Sequence, residues 1–115
     1  MPYLKLKSNV TIDDKQAPQL LSGLSRLLAQ ETGKPERYVM AELVGGLPMI
    51  FAGTSDPLAF VECKSIDLSR EQAKSLSAAL CRYLANELAL PTERVYIEFG
   101  SAPAEFWGWN GSTFG

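Results

Sequence analysis

Apolar residues along the chain switch between two periods. From Tyr3 to Lys7 they alternate, with Leu4 and Leu6 on one face, as in a half-buried strand. Further on, Leu20, Leu21, Leu24, Leu27 and Leu28 recur at helical spacing. Asp13 or Asp14 suits the start of that helix and Gly33 its stop. Pro18 is compatible only if it lies in the first turn. A second strand is predicted from Tyr38 to Val44 and a third from Leu58 to Ile66. Ser69-Arg70-Glu71-Gln72 has the form of a capping box and opens a helix through Leu76, Leu80, Tyr83, Leu84 and Leu88. The last long strand is predicted from Arg94 to Phe99, with Val95, Ile97 and Phe99 on one face and Tyr96 and Glu98 on the other.

The pattern occurs twice. Leu20 to Glu31 is echoed by Leu76 to Glu87, Pro35-Glu36-Arg37 by Pro91-Thr92-Glu93-Arg94, and Lys7-Ser8 by Lys64-Ser65. The offset is 56 or 57 residues throughout. Two copies are too few for a solenoid but suit a duplicated strand–helix–strand unit. The expected fold is therefore α/β of the α+β kind: two βαβ repeats forming a four-stranded sheet, with two helices on one face. One domain, residues 1–115, contains both halves, about 1–50 and 58–105, and a tail, 106–115.

That arrangement leaves the second sheet face without cover. The tail also places Phe106, Trp107, Trp109 and Phe114 within nine residues. A small two-helix domain has little room to bury them, and a large exposed apolar patch usually marks an interface, so self-association is expected.

Composition narrows the chemistry. A net charge of −2 argues against nucleic acid as the main partner, since phosphate binding favours a clustered basic surface. No apolar run nears the roughly 20 residues of a membrane span, and Met1-Pro2-Tyr3-Leu4-Lys5 lacks a signal peptide's apolar core, so a cytoplasmic location is expected. The chain has no histidine, so any proton transfer must use another group, and no metal or cofactor is expected. Cys63 and Cys81 form no CxxC pair and read as free thiols in apolar segments.

Met1-Pro2, Thr32-Gly33-Lys34-Pro35, Ser65-Ile66, Arg94-Val95-Tyr96-Ile97 and Gly108-Trp109-Asn110-Gly111-Ser112-Thr113-Phe114 occur in that order. Together they resemble the macrophage migration inhibitory factor and D-dopachrome tautomerase family, over nearly the whole chain. The resemblance implies the tautomerase fold with extra short strands, a homotrimer whose sheets enclose a central channel, and active sites at subunit interfaces. It also implies keto–enol tautomerisation of phenylpyruvate-like 2-oxo acids, with dopachrome derivatives as a further class.

The same resemblance assigns the residues. Loss of Met1 would leave Pro2 with a secondary amine, the general base. An ordinary α-amino group titrates at about 7.7–8.0, and an apolar pocket with a lysine nearby lowers that value. A base poised near working pH suits proton abstraction beside a carbonyl. Lys34 becomes the anchor of the substrate carboxylate, although by itself it reads as a solvated lysine at a helix C-terminus. Ile66 would offer its backbone N–H to the same carboxylate, and Ser65 beside it reads equally as a structural residue. Tyr96 would reach the pocket of an adjacent subunit, with Glu98 on the same face. Tyr3, Tyr38, Trp107 and Phe114 match the pocket walls, whereas Trp109 reads as structural.

Three departures bear on function. Glu98 stands where better-known members carry asparagine, and Lys64 where they often carry histidine; both put the substrate range in question. Pro57 to Val61 lacks the CxxC of macrophage migration inhibitory factor itself, which argues against thiol–disulfide activity. The alternative function is a cytokine-like protein ligand acting on a receptor, which would require unconventional secretion, but no motif specifies that receptor.

Overall fold

A computed structural model describes residues 1–115. The elements run β1 (Tyr3–Ser8), α1 (Gln16–Thr32), β2 (Met40–Val44), β3 (Ala59–Ile66), α2 (Arg70–Leu88) and β4 (Val95–Ala102), then a two-stranded ribbon, β5 (Gly108–Trp109) and β6 (Ser112–Thr113). The main sheet has the order β2-β1-β3-β4. β1 and β2 are parallel, as are β3 and β4, and the halves meet along an antiparallel β1–β3 seam. Each parallel pair is one βαβ unit, as the repeat predicts.

Local chemistry sets the helix ends. The Asp13 carboxylate accepts the N–H groups of Lys15 and Gln16, at 3.1 and 2.7 Å, so Asp13 fills the role open between it and Asp14. Pro18 is the third residue of α1, within the first turn as its missing donor requires. Gly33 closes α1 at φ 71°, a left-handed conformation that a Cβ disfavours. The Ser69–Gln72 capping box is complete in both directions, with bonds of 3.1 and 3.0 Å.

Two strand starts differ from the sequence expectation for one reason. Tyr38 and Arg94 each end a single 3-10 turn, Glu36–Tyr38 and Thr92–Arg94, and are not strand residues. Pro35 and Pro91 stand before these turns in extended backbone and accept the N–H of Tyr38 and of Arg94. β2 therefore begins at Met40 and β4 at Val95, while β4 runs on to Ala102.

The core lies between the sheet and the two helices. Leu4 and Leu6 of β1 and Ala59, Val61 and Cys63 of β3 meet Leu20, Leu24 and Leu28 of α1 and Leu76, Leu80 and Leu84 of α2. Leu21 and Leu27 flank that stripe and are only half-buried. The opposite sheet face carries Lys5, Lys7, Glu42, Glu62, Lys64 and Glu98, with Phe60 and Tyr96 at one end. Charge makes most of this face compatible with water, so it does not require the cover that its lack of helices suggests. One register row reads Glu42, Lys5, Glu62, Glu98, with Lys5 Nζ 3.9 Å from the Glu42 carboxylate.

Candidate active site

The start of β1, the 3-10 turn before β2 and the tail ribbon enclose a cavity of about 290 Å³. Pro2 lies at its base and is less than 2 % exposed. Its carbonyl accepts the Met40 N–H at 3.0 Å, which extends the β1–β2 ladder back to the second residue. Met1 covers the Pro2 nitrogen, which is then a tertiary amide with neither a proton nor basic character. The free amine is that of Met1. Burial holds it below its ordinary value, and the charge of Lys34 lowers it further. The environment at the head of the chain therefore favours a neutral amine.

The wall is aromatic because the tail folds back. Asn110 and Gly111 take positive φ angles, 53° and 78°, in a two-residue turn between β5 and β6. Phe114 N–H then donates to the Trp107 carbonyl at 3.1 Å, closing the tail against itself. Tyr38 stands edge-on to Trp109 and to Phe114, with ring centroids 5.4 and 5.6 Å apart, and Trp109 stacks on Phe114 at 5.7 Å. Tyr3 lines the cavity and donates its hydroxyl to Glu42 at 3.1 Å. Desolvation first, and then Glu42 and Glu62, hold the Tyr3 phenol above its ordinary value.

Five of the residues expected at the site thus share one cavity: Pro2, Tyr3, Tyr38, Trp107 and Phe114. Lys34 is half-buried on the segment after α1, close enough for its charge to act on the terminal amine but outside the cavity wall. Ser65 and Ile66 end β3 and are buried. They follow Lys64, which pairs with Tyr3 at the start of β1, and neither lines the cavity. Ser65 Oγ has no hydrogen-bond partner.

Tyr96 and Glu98 lie elsewhere in the chain. Tyr96 is 63 % exposed and packs on Phe51 at 4.6 Å, beside a separate apolar depression. Glu98 shares its face, as alternation predicts, and stands in register with Glu62. Met1, Val39, Met40 and Gly108 also line the cavity, and two further wall residues carry side chains that bear on its chemistry. Trp109 is a cavity residue as well as a structural one, and Arg37 lines the cavity with its guanidinium 4.8 Å over the Tyr38 ring. The signal for Arg37 was its position beside Tyr38; the signal for Trp109 was the Asn-Gly turn that aims it.

Both cysteines are unpaired. Burial pushes the Cys63 thiol up to about 11 and raises Cys81 as well, the reverse of what a reactive thiol needs. No helix is long and apolar enough to cross a membrane.

The family model described as macrophage migration inhibitory factor matches residues 1–115. Macrophage migration inhibitory factor of Xenopus tropicalis is 39 % identical over 115 residues, covering 99 % of each chain. The homolog from Brugia malayi is 37 % identical over 116 residues, covering all of both. Among solved structures, the homologue from Prochlorococcus marinus aligns with a TM-score of 0.92 at 41 % identity, over 98 % of this chain and 99 % of that one. The macrophage migration inhibitory factor of Trichinella spiralis aligns at 0.87 and 31 % identity, over 97 % and 99 %.

Proposed function

The chain belongs to the macrophage migration inhibitory factor family, and we propose that it is a keto–enol tautomerase of phenylpyruvate-type 2-oxo acids with the Pro2 amine as general base. Membership supports tautomerase or cytokine-like function in general. The observation that carries the catalytic reading is the buried Pro2 in the wall of an aromatic cavity, next to a Met1 amine that burial and then Lys34 hold below its ordinary value. A receptor ligand has no use for a buried amine of lowered basicity; a proton-transfer catalyst depends on one.

In this reading Met1 is removed and Pro2 becomes a secondary amine. The substrate carboxylate pairs with Lys34 and accepts the Ile66 N–H, with Ser65 supporting that strand end. The aryl ring lies among Tyr3, Tyr38, Trp107 and Phe114. The Pro2 lone pair takes a proton from the carbon between ring and carbonyl. The C–H electrons become the C=C bond, the carbonyl electrons move to oxygen, and the enolate oxygen is protonated from the medium. Lys34 stabilises the charge that develops there. The chain acts as a homotrimer, in which Tyr96 of one subunit completes the cavity of its neighbour and Glu98 approaches with it. The exposure of Tyr96 and its distance from its own chain's cavity support this part of the reading.

The test compares two samples defined by intact mass, one starting at Pro2 and one retaining Met1. Decay of phenylpyruvate enol absorbance is followed for each, with sedimentation equilibrium on the same samples. Turnover only by the Pro2-first trimer is the expected result. Full activity with Met1 attached overturns the proline base, and a monomer at micromolar concentration overturns the assembly.

A further inference from the structure

Arg37 is a charged side chain in the wall of an otherwise largely apolar cavity, and the proposed mechanism gives it no task. Its guanidinium carbon lies over the Tyr38 ring, 4.8 Å from the centroid. It has no carboxylate partner: the chain's one ion pair is Lys5–Glu42, and the adjacent Glu36 does not reach it. It also donates no side-chain hydrogen bond, whereas Arg94, in the 3-10 turn of the second repeat, donates to four carbonyls. Arg94 thus holds a loop, whereas Arg37 is exposed and stands free at the cavity.

Two cations serve this cavity from different places. Lys34, outside the cavity wall, is close enough for its charge to act on the Met1 amine; Arg37 lies in the aromatic wall, over Tyr38. A 2-oxo acid bound with its carboxylate at Lys34 and its ring against Tyr38 would direct a substituent on the far side of that ring toward Arg37. We propose that Arg37 is a specificity determinant that selects aryl 2-oxo acids carrying a second anionic group, a carboxylate, distal to the reacting carbon. The inference rests on the tautomerase reading of the Pro2 cavity. A guanidinium fork can meet a carboxylate with two parallel N–H donors, and stacking on Tyr38 pre-orders it, so less rotamer freedom is lost on binding. An unpartnered arginine on an aromatic face is also more weakly hydrated than an ammonium would be, which eases its desolvation by the ligand.

The experiment uses the processed full-length protein and its Arg37→Gln and Arg37→Lys variants. KM is measured for phenylpyruvate and for 4-carboxyphenylpyruvate. Binding is measured separately through the fluorescence of Trp107 and Trp109, which line the cavity, with phenylacetate and 4-carboxyphenylacetate as unreactive probes. Arg37→Gln should raise KM and Kd for the dianion about tenfold more than for the monoanion, as expected for a charge-assisted pair lost at a partly open site. Arg37→Lys should restore part of that preference, because it keeps the charge without the fork. Equal changes for both charge states, in binding as well as KM, overturn the proposal. If neither 2-oxo acid is turned over but the fluorescence preference for the dianion is present and disappears in Arg37→Gln, the tautomerase reading fails and the Arg37 site stands.

Discussion

The carbonyl oxygen of Pro2 accepts the amide hydrogen of Met40 across 3.0 Å, so the second residue of the chain is locked into the sheet by its acceptor while its nitrogen stays out of the ladder. A terminal residue held in this way has lost its conformational freedom without using the atom a base would need.

The first prediction follows from that nitrogen. Pro2→Gly in a Met1-free chain keeps a terminal amine and should retain part of the tautomerase activity. Blocking the amine, by retained Met1 or by N-acetylation, should lower kcat/KM by about 10²–10⁴, the usual contribution of a general base. Kinetics on samples of verified mass check this, and an acetylated sample with undiminished turnover would contradict it.

The second concerns pH. Burial and then Lys34 hold the Met1 amine below its ordinary value of about 8, and the same two causes should lower the Pro2 amine once Met1 is removed. The base works when neutral, so kcat/KM should rise with pH and level off above a midpoint lower than that value. Lys34→Gln removes a repelling cation, which makes protonation easier and moves the midpoint to higher pH. The same variant should raise KM for anionic substrates. A midpoint that stays put or moves down in Lys34→Gln would show that Lys34 does not act on the base.

The third concerns the packing of α1 on α2. A Cβ at Gly23 would overlap the Tyr83 hydroxyl, which donates to the Leu20 carbonyl at 3.1 Å. Gly23→Ala should therefore cost about 1–3 kcal/mol through displacement of Tyr83. In a Tyr83→Ala background the obstruction is gone, and Gly23→Ala should be neutral or stabilising, since alanine gains about 1 kcal/mol over glycine in a helix. Denaturant unfolding of the four proteins in the cycle measures this.

The fourth concerns Arg94. Its guanidinium donates to the carbonyls of Phe51, Thr54, Asp56 and Pro57 at 3.0–3.2 Å and lies 5.3 Å from the centroid of the Phe51 ring. Phe51 in turn packs on Tyr96. Arg94→Ala should cost about 1–3 kcal/mol and speed amide exchange across residues 51–57. Arg94→Lys should rescue little, because one ammonium cannot reach four carbonyls. Unchanged exchange protection in the alanine variant would show that the loop is held by other contacts.

The sequence alone determined the elements and their order. Leu4 and Leu6 alternate, Leu20, Leu24 and Leu28 repeat at one turn, and Ser69 and Gln72 cap each other; these are local signals whose range is a few residues. Their repetition 56 or 57 residues later was enough to give two βαβ units and hence the sheet. Family motifs named Pro2, Tyr38, Trp107 and Phe114 before any of them could be placed together. Tertiary structure decided what depends on distance between segments far apart in the chain. Neither Pro2 nor Phe114 carries a local sign that the chain's two ends meet; that follows from the Asn110-Gly111 turn and the closure of the tail on Tyr38. The two repeated arginines show the same limit. Arg37 is the middle residue of the 3-10 turn after Pro35 and Arg94 the last residue of the turn after Pro91; one stands over an aromatic cavity wall and the other grips a loop. Local sequence puts each in a 3-10 turn, and the segment folded against that turn determines which groups the guanidinium meets.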